Sequence, residues 1–494
     1  MPSNAAKFET MARVYINQSI SELPTLEEIS NIIDSFKPVG NMMYQISEDD
    51  FQQIKRELIE EMAHTIGTAN ILRQRRDNDQ KPDWYTCQEI KGYYWPRFKN
   101  YLKAKRSPDI VEKLDRLTDQ IMNCLADPNS ELDLQKRGLM MGEVQSGKTE
   151  AYTALCNKAA DCGYKVIIVL TGMTEALRTQ TQSRLDSELV GLESKYSLEQ
   201  NEKLDLKNKP MGVGLVKHDQ DKIINRFTSV TTDFNKNTIK NNGLSLSNLG
   251  KAEPSLFVIK KNSSVMRNLY NWLTKDSNIL DLPLLLVDDE ADNASLNTNS
   301  AEHDPTAINR WINKILRAFK KASYLGVTAT PFANIFVNDR VKDDGAAEDL
   351  FPRDFLIMLS VPDNYIGAKD IFGFREVEDT VEKEAGDYGY SLVPIENSEQ
   401  ENYYRYKHKI NLAERLHDLP ESLYEAVRYF VVVSAIKDFQ QQKDRHFSML
   451  VNVSRFTNVQ DKTAALIQDY LDSIVSDLLN YSKIERNLLK FARA

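Results

Sequence analysis

The sequence contains few of the residues that form disulfides or bind transition metals. It has four cysteines and six histidines among 494 residues. The cysteines form no CxxC pair and no His-rich metal spacing accompanies them; they are Cys87, Cys124, Cys156 and Cys162. This pattern argues against a disulfide framework or a zinc site. We expect reduced, mostly buried thiols, as in a cytosolic protein.

Long hydrophobic runs are also absent. No apolar run approaches the length needed to span a membrane, and the N-terminal residues MPSNAAKFET have no apolar signal core. The formal net charge of −9 excludes a uniformly basic nucleic-acid surface, although it leaves room for a local basic groove. We therefore expect a cytoplasmic protein without membrane contact.

A phosphate-binding pattern is present. Residues 142–149 read GEVQSGKT, which fits G-x-x-x-x-G-K-[ST] without a mismatch. A short apolar strand over 138–141 and a helix over 150–160 flank the loop, so the helix N-terminus would face the phosphates. In such a loop backbone N–H groups surround phosphate oxygens, the lysine contacts the β- and γ-phosphates, and the hydroxyl binds Mg²⁺. We predict that ATP and Mg²⁺ bind Gly142, Glu143, Val144, Gln145, Ser146, Gly147, Lys148 and Thr149. The alternative is a chance match on a glycine turn.

An acidic segment follows a second apolar run. Residues 284–292 read LLLVDDEAD, and ligands of open α/β sheets bind at the carboxyl ends of strands. From the D-E-A-D spacing we assign Asp289 to the metal and Glu290 to the attacking water. Lys148, Asp289 and Glu290 are thus the candidate catalytic residues, with Thr149 and Asp289 as the candidate metal ligands. Asp288 either shares the metal or points to the opposite face and pairs with a basic side chain. A solvated acidic turn is the alternative.

A third segment, GVTATPFANIF over 326–336, ends an apolar strand in small hydroxyl residues. We expect Thr328 and Thr330 to lie beside the acidic segment. There they could hydrogen-bond its carboxylates and respond to the γ-phosphate. Alone, the TATP sequence is a weak signal, but it follows the phosphate loop and the acidic segment in a fixed order.

The order of apolar runs predicts an α/β fold with several domains. Helical spacing prevails first, and then strands and helices alternate, as in a parallel sheet covered on both faces. The predicted parts are a helical N-terminal domain (1–130), an α/β domain (131–375) with a polar, partly mobile insertion (191–250), an acidic linker with a connecting helix (376–420), and a second α/β domain (421–494). In this last part we predict a helix over 423–439, a strand over 447–453 and a helix over 462–479.

The three motifs together resemble the superfamily-two helicases and translocases, whose motor is a pair of RecA-like P-loop NTPase domains. The resemblance is good over about 130–360 and loose over 420–494. It implies that Lys148 and Thr149 act on the nucleotide, that Asp289 to Asp292 form the acidic motif, and that Thr328 to Thr330 form the coupling motif. It also places Thr171–Leu185 where these proteins contact the nucleic-acid backbone; an exposed helix face is the alternative there.

The amino-acid sequences of the motifs are similar to those of Z1 domain proteins, which are described as candidate endonuclease components of restriction–modification and anti-phage systems. The matching stretches are GEVQSGKT, VDDEADNAS, TATPFANIF, residues 351–373 and VNVSRFTNVQ over 451–460. The resemblance implies an ATP-dependent DNA translocase or helicase-like module in the cytoplasm. Its implied partners are DNA and other defence subunits, such as a nuclease, a methyltransferase or another ATPase.

The sequence departs from this resemblance in its second half. Superfamily-two motors complete their site with arginines from the second RecA-like domain, and Arg455 comes too early in the order to be one of them. We therefore expect residues 421–494 to be an incomplete second domain. Either the sequence is a fragment, or the site takes an arginine from a partner or a second copy, so that the isolated chain binds ATP but hydrolyses it slowly. No nuclease motif is visible in the sequence. Two other functions remain open: a nucleotide-dependent switch or scaffold, and a metal-dependent endonuclease that uses the acidic segment directly.

Overall fold

The computed structural model divides the chain into two compact units, Met1–Tyr365 and Ile366–Ala494. We describe each unit by itself. The residues that the structure describes are 8, 11–12, 26–44, 46–62, 70–74, 83–143, 146–194, 209–237, 245–251, 253–277, 279–293, 295, 307–330, 350–359, 366–373, 375–377, 380–382, 388–405, 407–409, 411–439 and 447–481.

A sheet of eight strands, counted over the described residues, forms the centre of the first unit. The strands are β1 Asn70–Arg73, β2 Gln135–Met141, β3 Val166–Thr171, β4 Asn225–Arg226, β5 Ser255–Lys260, β6 Leu284–Asp289, β7 Ala322–Thr328 and β8 Phe355–Met358. Their order is β1-β8-β2-β7-β6-β3-β5-β4. Every neighbouring pair is parallel except β1 with β8. The predicted α/β fold with a mostly parallel sheet is confirmed.

Helices connect and cover these strands. They are α1 Leu26–Tyr44, α2 Glu48–Met62, α3 Tyr94–Lys103, α4 Pro108–Cys124, α5 Lys148–Cys162, α6 Glu175–Leu185, α7 Val213–Val216, α8 Ser263–Leu273 and α9 Ala307–Arg317. Helix α6 continues directly into a π-helical turn, Asp186–Val190. Short 3₁₀ turns span Gln220–Lys222 and Leu246–Asn248.

The central strands are apolar throughout because both faces of the sheet are covered. Successive side chains of a strand point to opposite faces. In β3, Ile167 packs with α3, α4 and α5 on one face, whereas its neighbours Val166 and Ile168 pack with α8 and α9 on the other. All three side chains are fully buried. The continuous run KVIIVL therefore marks a strand inside a three-layer structure.

The helical segment at the N-terminus is divided between two cores. Helices α1 and α2 share a small cluster that contains Ile33, Phe51 and Leu58. Helices α3 and α4 instead bury Phe98 and Leu114 in the core of the sheet. Strand β1 extends the same sheet. A separate helical domain over 1–130 therefore does not match this packing, because helical periodicity shows that one face is buried but not which partner covers it.

The described part of the predicted insertion over 191–250 contributes to the sheet. Strand β4 pairs with β5. Phe227 stacks on Phe257 with a centroid separation of 4.7 Å, and Phe234 lies 5.9 Å from the same ring. Residues 195–208 and 238–244 lie outside the described residues, and the prediction of mobility stays a prediction for them.

The second unit is mainly helical over the described residues. Its elements are α10 Ala368–Phe372, β9 Arg375–Val377, β10 Thr380–Glu382, a 3₁₀ turn Gly389–Ser391, α11 Asn397–Tyr403, α12 Leu412–Arg415, α13 Glu421–Phe439 and α14 Thr457–Tyr481. Strands β9 and β10 form an antiparallel hairpin within the segment predicted as a linker. The predicted helices over 423–439 and 462–479 are confirmed as parts of α13 and α14.

The predicted strand over 447–453 is wrong. These residues form no strand, and no described strand pairs with them. The apolar and polar side chains alternate as in a strand, but a strand also needs a neighbour that accepts its backbone hydrogen bonds. A second RecA-like domain over 421–494 thus stays a prediction.

Among the described helices of both units, none is long and apolar enough to cross a membrane.

Candidate active site

A cavity of about 580 Å³ opens at the edge of the sheet where β2, β7, β6 and β3 end. These four strands are consecutive neighbours, so their carboxyl ends bring distant parts of the chain together. The lining residues are Lys148, Thr149, Tyr152, Leu177, Gln180, Thr181, Arg184, Asp289, Glu290, Asp292, Asn293, Val327, Thr328, Ala329 and Thr330. The predicted phosphate loop, acidic segment and threonine segment all meet there.

The phosphate-loop segment connects the end of β2 to the start of α5. Gly147 adopts φ +81°, a left-handed conformation that favours glycine, and a Cβ placed there would meet nothing within 4 Å. Lys148 Nζ donates to the backbone oxygens of Gly142 and Glu143, at 2.5 and 2.6 Å. Ser146 Oγ is buried and has no hydrogen-bond partner among the described residues. The loop thus leaves open space above Gly147 and an unpaired hydroxyl within it.

Two members of the predicted loop, Val144 and Gln145, lie outside the described residues. Gly142 is held to the neighbouring strand, since its N–H donates to the oxygen of Thr328 at 3.2 Å. Thr149 follows Lys148 in the first turn of α5 and lines the cavity. Burial lowers the pKa of Lys148, and the nearby charge of Asp289 opposes that shift.

Asp288 faces away from the cavity. Its carboxylate lies 2.9 Å from Lys261 Nζ, and both side chains are fully buried. Tyr324 Oη donates to Asp288 Oδ2 at 2.7 Å. The ambiguity about Asp288 is therefore resolved: it pairs with a basic side chain on the opposite face from Asp289.

Asp289 is the next residue of β6 and lines the cavity. Its Oδ1 accepts the backbone N–H of Glu290 at 3.0 Å. Its Oδ2 accepts a hydrogen bond from Tyr152 Oη at 3.2 Å. Burial raises the pKa of Asp289, while the bond from Tyr152 acts in the opposite direction. The carboxylate is thus placed beside Lys148 and Thr149 and is held at both oxygens.

Glu290 has an unusual backbone. Its φ is +55°, in the left-handed region that non-glycine residues rarely adopt. The next residue fixes this turn, since Ala291 N–H donates to the oxygen of Val327 at 2.9 Å. The carboxylate lies against Gly172, where an added Cβ would come within 2.6 Å of Glu290 Oε2. Backbone strain of this kind persists where the surrounding structure enforces it and is concentrated at functional sites.

Asp292 is tied to the threonine segment. Thr328 Oγ1 and Thr330 Oγ1 each donate to its carboxylate at 2.6 Å, one to each oxygen. Burial alone would raise the pKa of Asp292, but these two hydrogen bonds, together with a backbone hydrogen bond and the charge of Lys261, lower that pKa. The expected contact between the small hydroxyls and the acidic segment is present, and its acceptor is Asp292. The remainder of the segment, Pro331 to Phe336, lies outside the described residues.

Helix α6 presents two different faces. Arg178 is buried and donates to the backbone oxygens of Ser229 and Val230, at 2.7 and 3.1 Å. Gln182 is buried as well, and its side chain bonds that of Asp186 at 2.9 Å. These two side chains are therefore not available for nucleic-acid phosphates. The residues of α6 that line the cavity are spaced as one helical stripe: Leu177, Gln180, Thr181 and Arg184.

Sequence reasoning missed two residues that shape the site, namely Tyr152 and Lys261. Tyr152 had a detectable signal, because it lies four residues after Lys148 and so on the same face of α5. Lys261 follows the apolar strand β5 directly, at the edge of the sheet where the acidic segment was expected. Arg184 belongs to the segment 171–185, whose Thr, Gln and Arg side chains suit contacts with nucleic-acid phosphates. It lines the cavity and pairs with Glu188, 3.0 Å away, and its contact with nucleic acid stays a prediction.

In a comparison with known families, residues 422–492 of the second unit match the Z1 domain. The Z1 part of the resemblance is thereby confirmed for these residues, which include most of α13 and all of α14. No curated protein matches the chain.

Proposed function

We propose that the chain is an ATP hydrolase whose first unit contains a RecA-like P-loop domain, and that it works as a helicase-like module on DNA. The observation that carries the proposal is the meeting of three segments in one cavity. Lys148 and Thr149 face Asp289 and Glu290 there, with Asp292 held by Thr328 and Thr330. A phosphate loop and a set of carboxylates are the two halves that nucleoside triphosphate hydrolysis needs.

The sheet order supports the RecA-like part of the proposal. Strand β7 lies between β2, which leads into the phosphate loop, and β6, which carries the acidic segment. The threonines at the end of β7 are therefore adjacent to both. A change at the γ-phosphate can then reach Asp292 through side chains already in contact.

The donor set fits a magnesium ion held mainly by nucleotide. The described residues contain no group of three or more His, Cys, Asp or Glu side chains that could bind a metal by themselves. Mg²⁺ usually needs only one or two carboxylates, because waters and substrate phosphates complete its octahedron. Thr149 and Asp289 supply such a partial set, and the open space above Gly147 leaves room for phosphate. Bound magnesium would offset the charge of the phosphates.

The residues have distinct tasks in hydrolysis. Lys148 would contact the β- and γ-phosphates after releasing its two loop carbonyls. Glu290 would orient the water and accept its proton as the water oxygen bonds the γ-phosphorus and the bond to the departing ADP breaks. The arginine that superfamily-two motors take from a second domain stays a prediction without an assigned residue.

The DNA and defence parts of the proposal rest on resemblance. The motif sequences are similar to those of Z1 domain proteins, and the Z1 match over 422–492 supports this relationship for the second unit. DNA and other defence subunits, such as a nuclease, a methyltransferase or another ATPase, are the proposed partners. The remaining alternatives are a switch or scaffold without translocation and a metal-dependent endonuclease.

The first test is the affinity of the purified chain for ATP in the presence of Mg²⁺. Lys148→Ala removes the charge that contacts two phosphates, and we expect binding to weaken on the order of a hundredfold. Lys320→Ala is the control, because Lys320 lies at the surface 3.1 Å from Asp281. Equal ATP affinity of wild type and Lys148→Ala would refute the assignment of the loop.

The second test separates the three functions. Stimulation of ATP hydrolysis by duplex or single-stranded DNA supports the motor. Nucleotide-dependent oligomerisation without stimulation by DNA supports the switch instead. DNA cleavage that survives Lys148→Ala but is lost in Asp289→Ala supports a metal-dependent endonuclease.

A further inference from the structure

We propose that Tyr152 is a positioning residue whose hydroxyl holds Asp289 in the orientation needed for the magnesium–nucleotide complex. The inference deepens the proposed function and rests on it. It assigns a role in the site to a residue outside the phosphate-loop and acidic motifs.

The geometry gives Asp289 two fixed hydrogen bonds. Glu290 N–H binds Oδ1 at 3.0 Å and Tyr152 Oη binds Oδ2 at 3.2 Å. One donor is in the backbone of the acidic turn itself, whereas the other comes from the helix that begins with the phosphate loop. The carboxylate is therefore oriented relative to the loop as well as to its own strand.

The hydroxyl of Tyr152 is not needed for packing. The ring is 1% exposed and belongs to the main core, where a phenylalanine would fill the same space. Tyr164 is equally buried, but its hydroxyl donates to the backbone oxygen of Ala126 at 2.6 Å and lies 2.9 Å from Ser323 Oγ. Only the Tyr152 hydroxyl of this pair binds a side chain of the cavity.

The hydroxyl of Tyr152 is the donor in this bond. A tyrosine phenol is protonated at neutral pH, because its ordinary pKa is about 10, and an ionised carboxylate can only accept.

The test is Tyr152→Phe in the full chain, with ADP as the probe. ADP affinity is measured in EDTA and then over a series of Mg²⁺ concentrations. Loss of an orienting partner of a metal ligand commonly costs 10–100-fold in metal affinity. We expect the Mg²⁺ concentration at half-maximal tightening to rise about tenfold, with unchanged ADP affinity in EDTA.

Tyr164→Phe is the matched control, because it removes an equally buried hydroxyl that does not contact Asp289. It should leave the Mg²⁺ midpoint unchanged even if it lowers the melting temperature. An unchanged midpoint in Tyr152→Phe would overturn the inference while leaving the proposed function intact. Weaker ADP binding in EDTA would also overturn it, since the ring would then shape the pocket and not the carboxylate. If wild type bound neither ADP nor ATP, the proposed function itself would fail.

Discussion

At the end of β6, two consecutive aspartates lie in different surroundings on the two faces of the strand. On one side Asp288 is fully buried and paired with Lys261; on the other, Asp289 faces a cavity beside Lys148 and Thr149. The alternation of side chains along a strand separates the two carboxylates. One acidic segment thus contains both a buried ion pair and a carboxylate that lines the cavity, and residue type alone does not distinguish them.

The strongest test of the cavity side of β6 is the substitution Glu290→Gln. An amide cannot accept a proton, and general base catalysis contributes about 10²–10⁴-fold. We expect ATP hydrolysis to fall by about that factor while ATP affinity stays close to that of wild type. Parallel measurements of hydrolysis rate and ATP affinity separate the two effects.

Glu112→Gln is the control for this change, since Glu112 on α4 forms surface ion pairs with Lys99 of α3 and with Arg116 of its own helix. It should leave both measurements unchanged. Normal hydrolysis by Glu290→Gln would show that our assignment of the base is wrong. Asp292 would then become the candidate, because Asp288 faces the other side of the strand.

The buried side is tested by Lys261→Met. Removing one partner of a buried ion pair leaves an uncompensated charge and typically costs about 3–5 kcal/mol. Lys261 Nζ also donates to the backbone oxygen of Asn293 at 3.1 Å, so the turn after β6 loses support as well. We expect the free energy of unfolding of the first unit to fall by about 3–5 kcal/mol, measured by denaturant titration.

The exposed pair of Lys320 with Asp281 supplies the comparison for Lys261→Met. Lys320→Met should cost less than about 1 kcal/mol, as surface pairs do. The double variant Lys261→Met with Asp288→Asn should recover part of the lost stability, because no buried charge then remains. A double variant no more stable than Lys261→Met would show that the ion pair is not the source of the effect.

The sequence was informative where a motif directly follows an apolar strand, because the strand then sets the edge of the sheet at which the motif lies. The apolar runs before GEVQSGKT and DDEAD predicted two strands, and parallel pairing then brought Lys148 and Asp289 to one edge. The contact of Thr328 and Thr330 with the acidic segment followed from the same reasoning. In each case a few consecutive residues determine both the element and the end of it that carries the chemistry.

Contacts between distant segments were not predictable in this way. Nothing near Asp288 in the sequence identifies Lys261 as its partner, because their pairing depends on how β5, β3 and β6 are ordered in the sheet. The same limit applies to α3 and α4, whose helical spacing did not reveal that they pack on the sheet. The strand predicted over 447–453 failed because alternation was present without a neighbouring strand. In each of these cases the sequence did not show which distant segment packs or pairs with the residues in question.

A smaller effect tests what burial does to a carboxylate outside the ion pair of Asp288 and Lys261. Asp233 lies in the described part of the insertion. Burial raises its pKa to about 6, although the hydrogen bond from the Phe234 N–H and the charges of Arg178 and Lys260 oppose the shift. The folded state therefore binds this proton more tightly than the unfolded state, whose reference value is 3.8. Its contribution to stability is fully present below that value and is lost as the pH rises to about 6.

Asp233→Asn removes this titration while keeping an oxygen that can accept the N–H of Phe234, which Asp233 Oδ1 binds at 2.7 Å. Because the side chain is only half-buried, we expect a gain in unfolding free energy on the order of 1 kcal/mol at pH 7–8. No gain is expected below about pH 4, where the wild-type carboxyl is protonated in the folded protein and in the unfolded protein. Denaturant titrations of wild type and variant across this range give the comparison. A stability difference independent of pH would contradict this prediction, because the amide would then act through new hydrogen bonds and not through the lost charge. It would also mean that the charge of Arg178 already compensates Asp233, as Lys261 compensates Asp288.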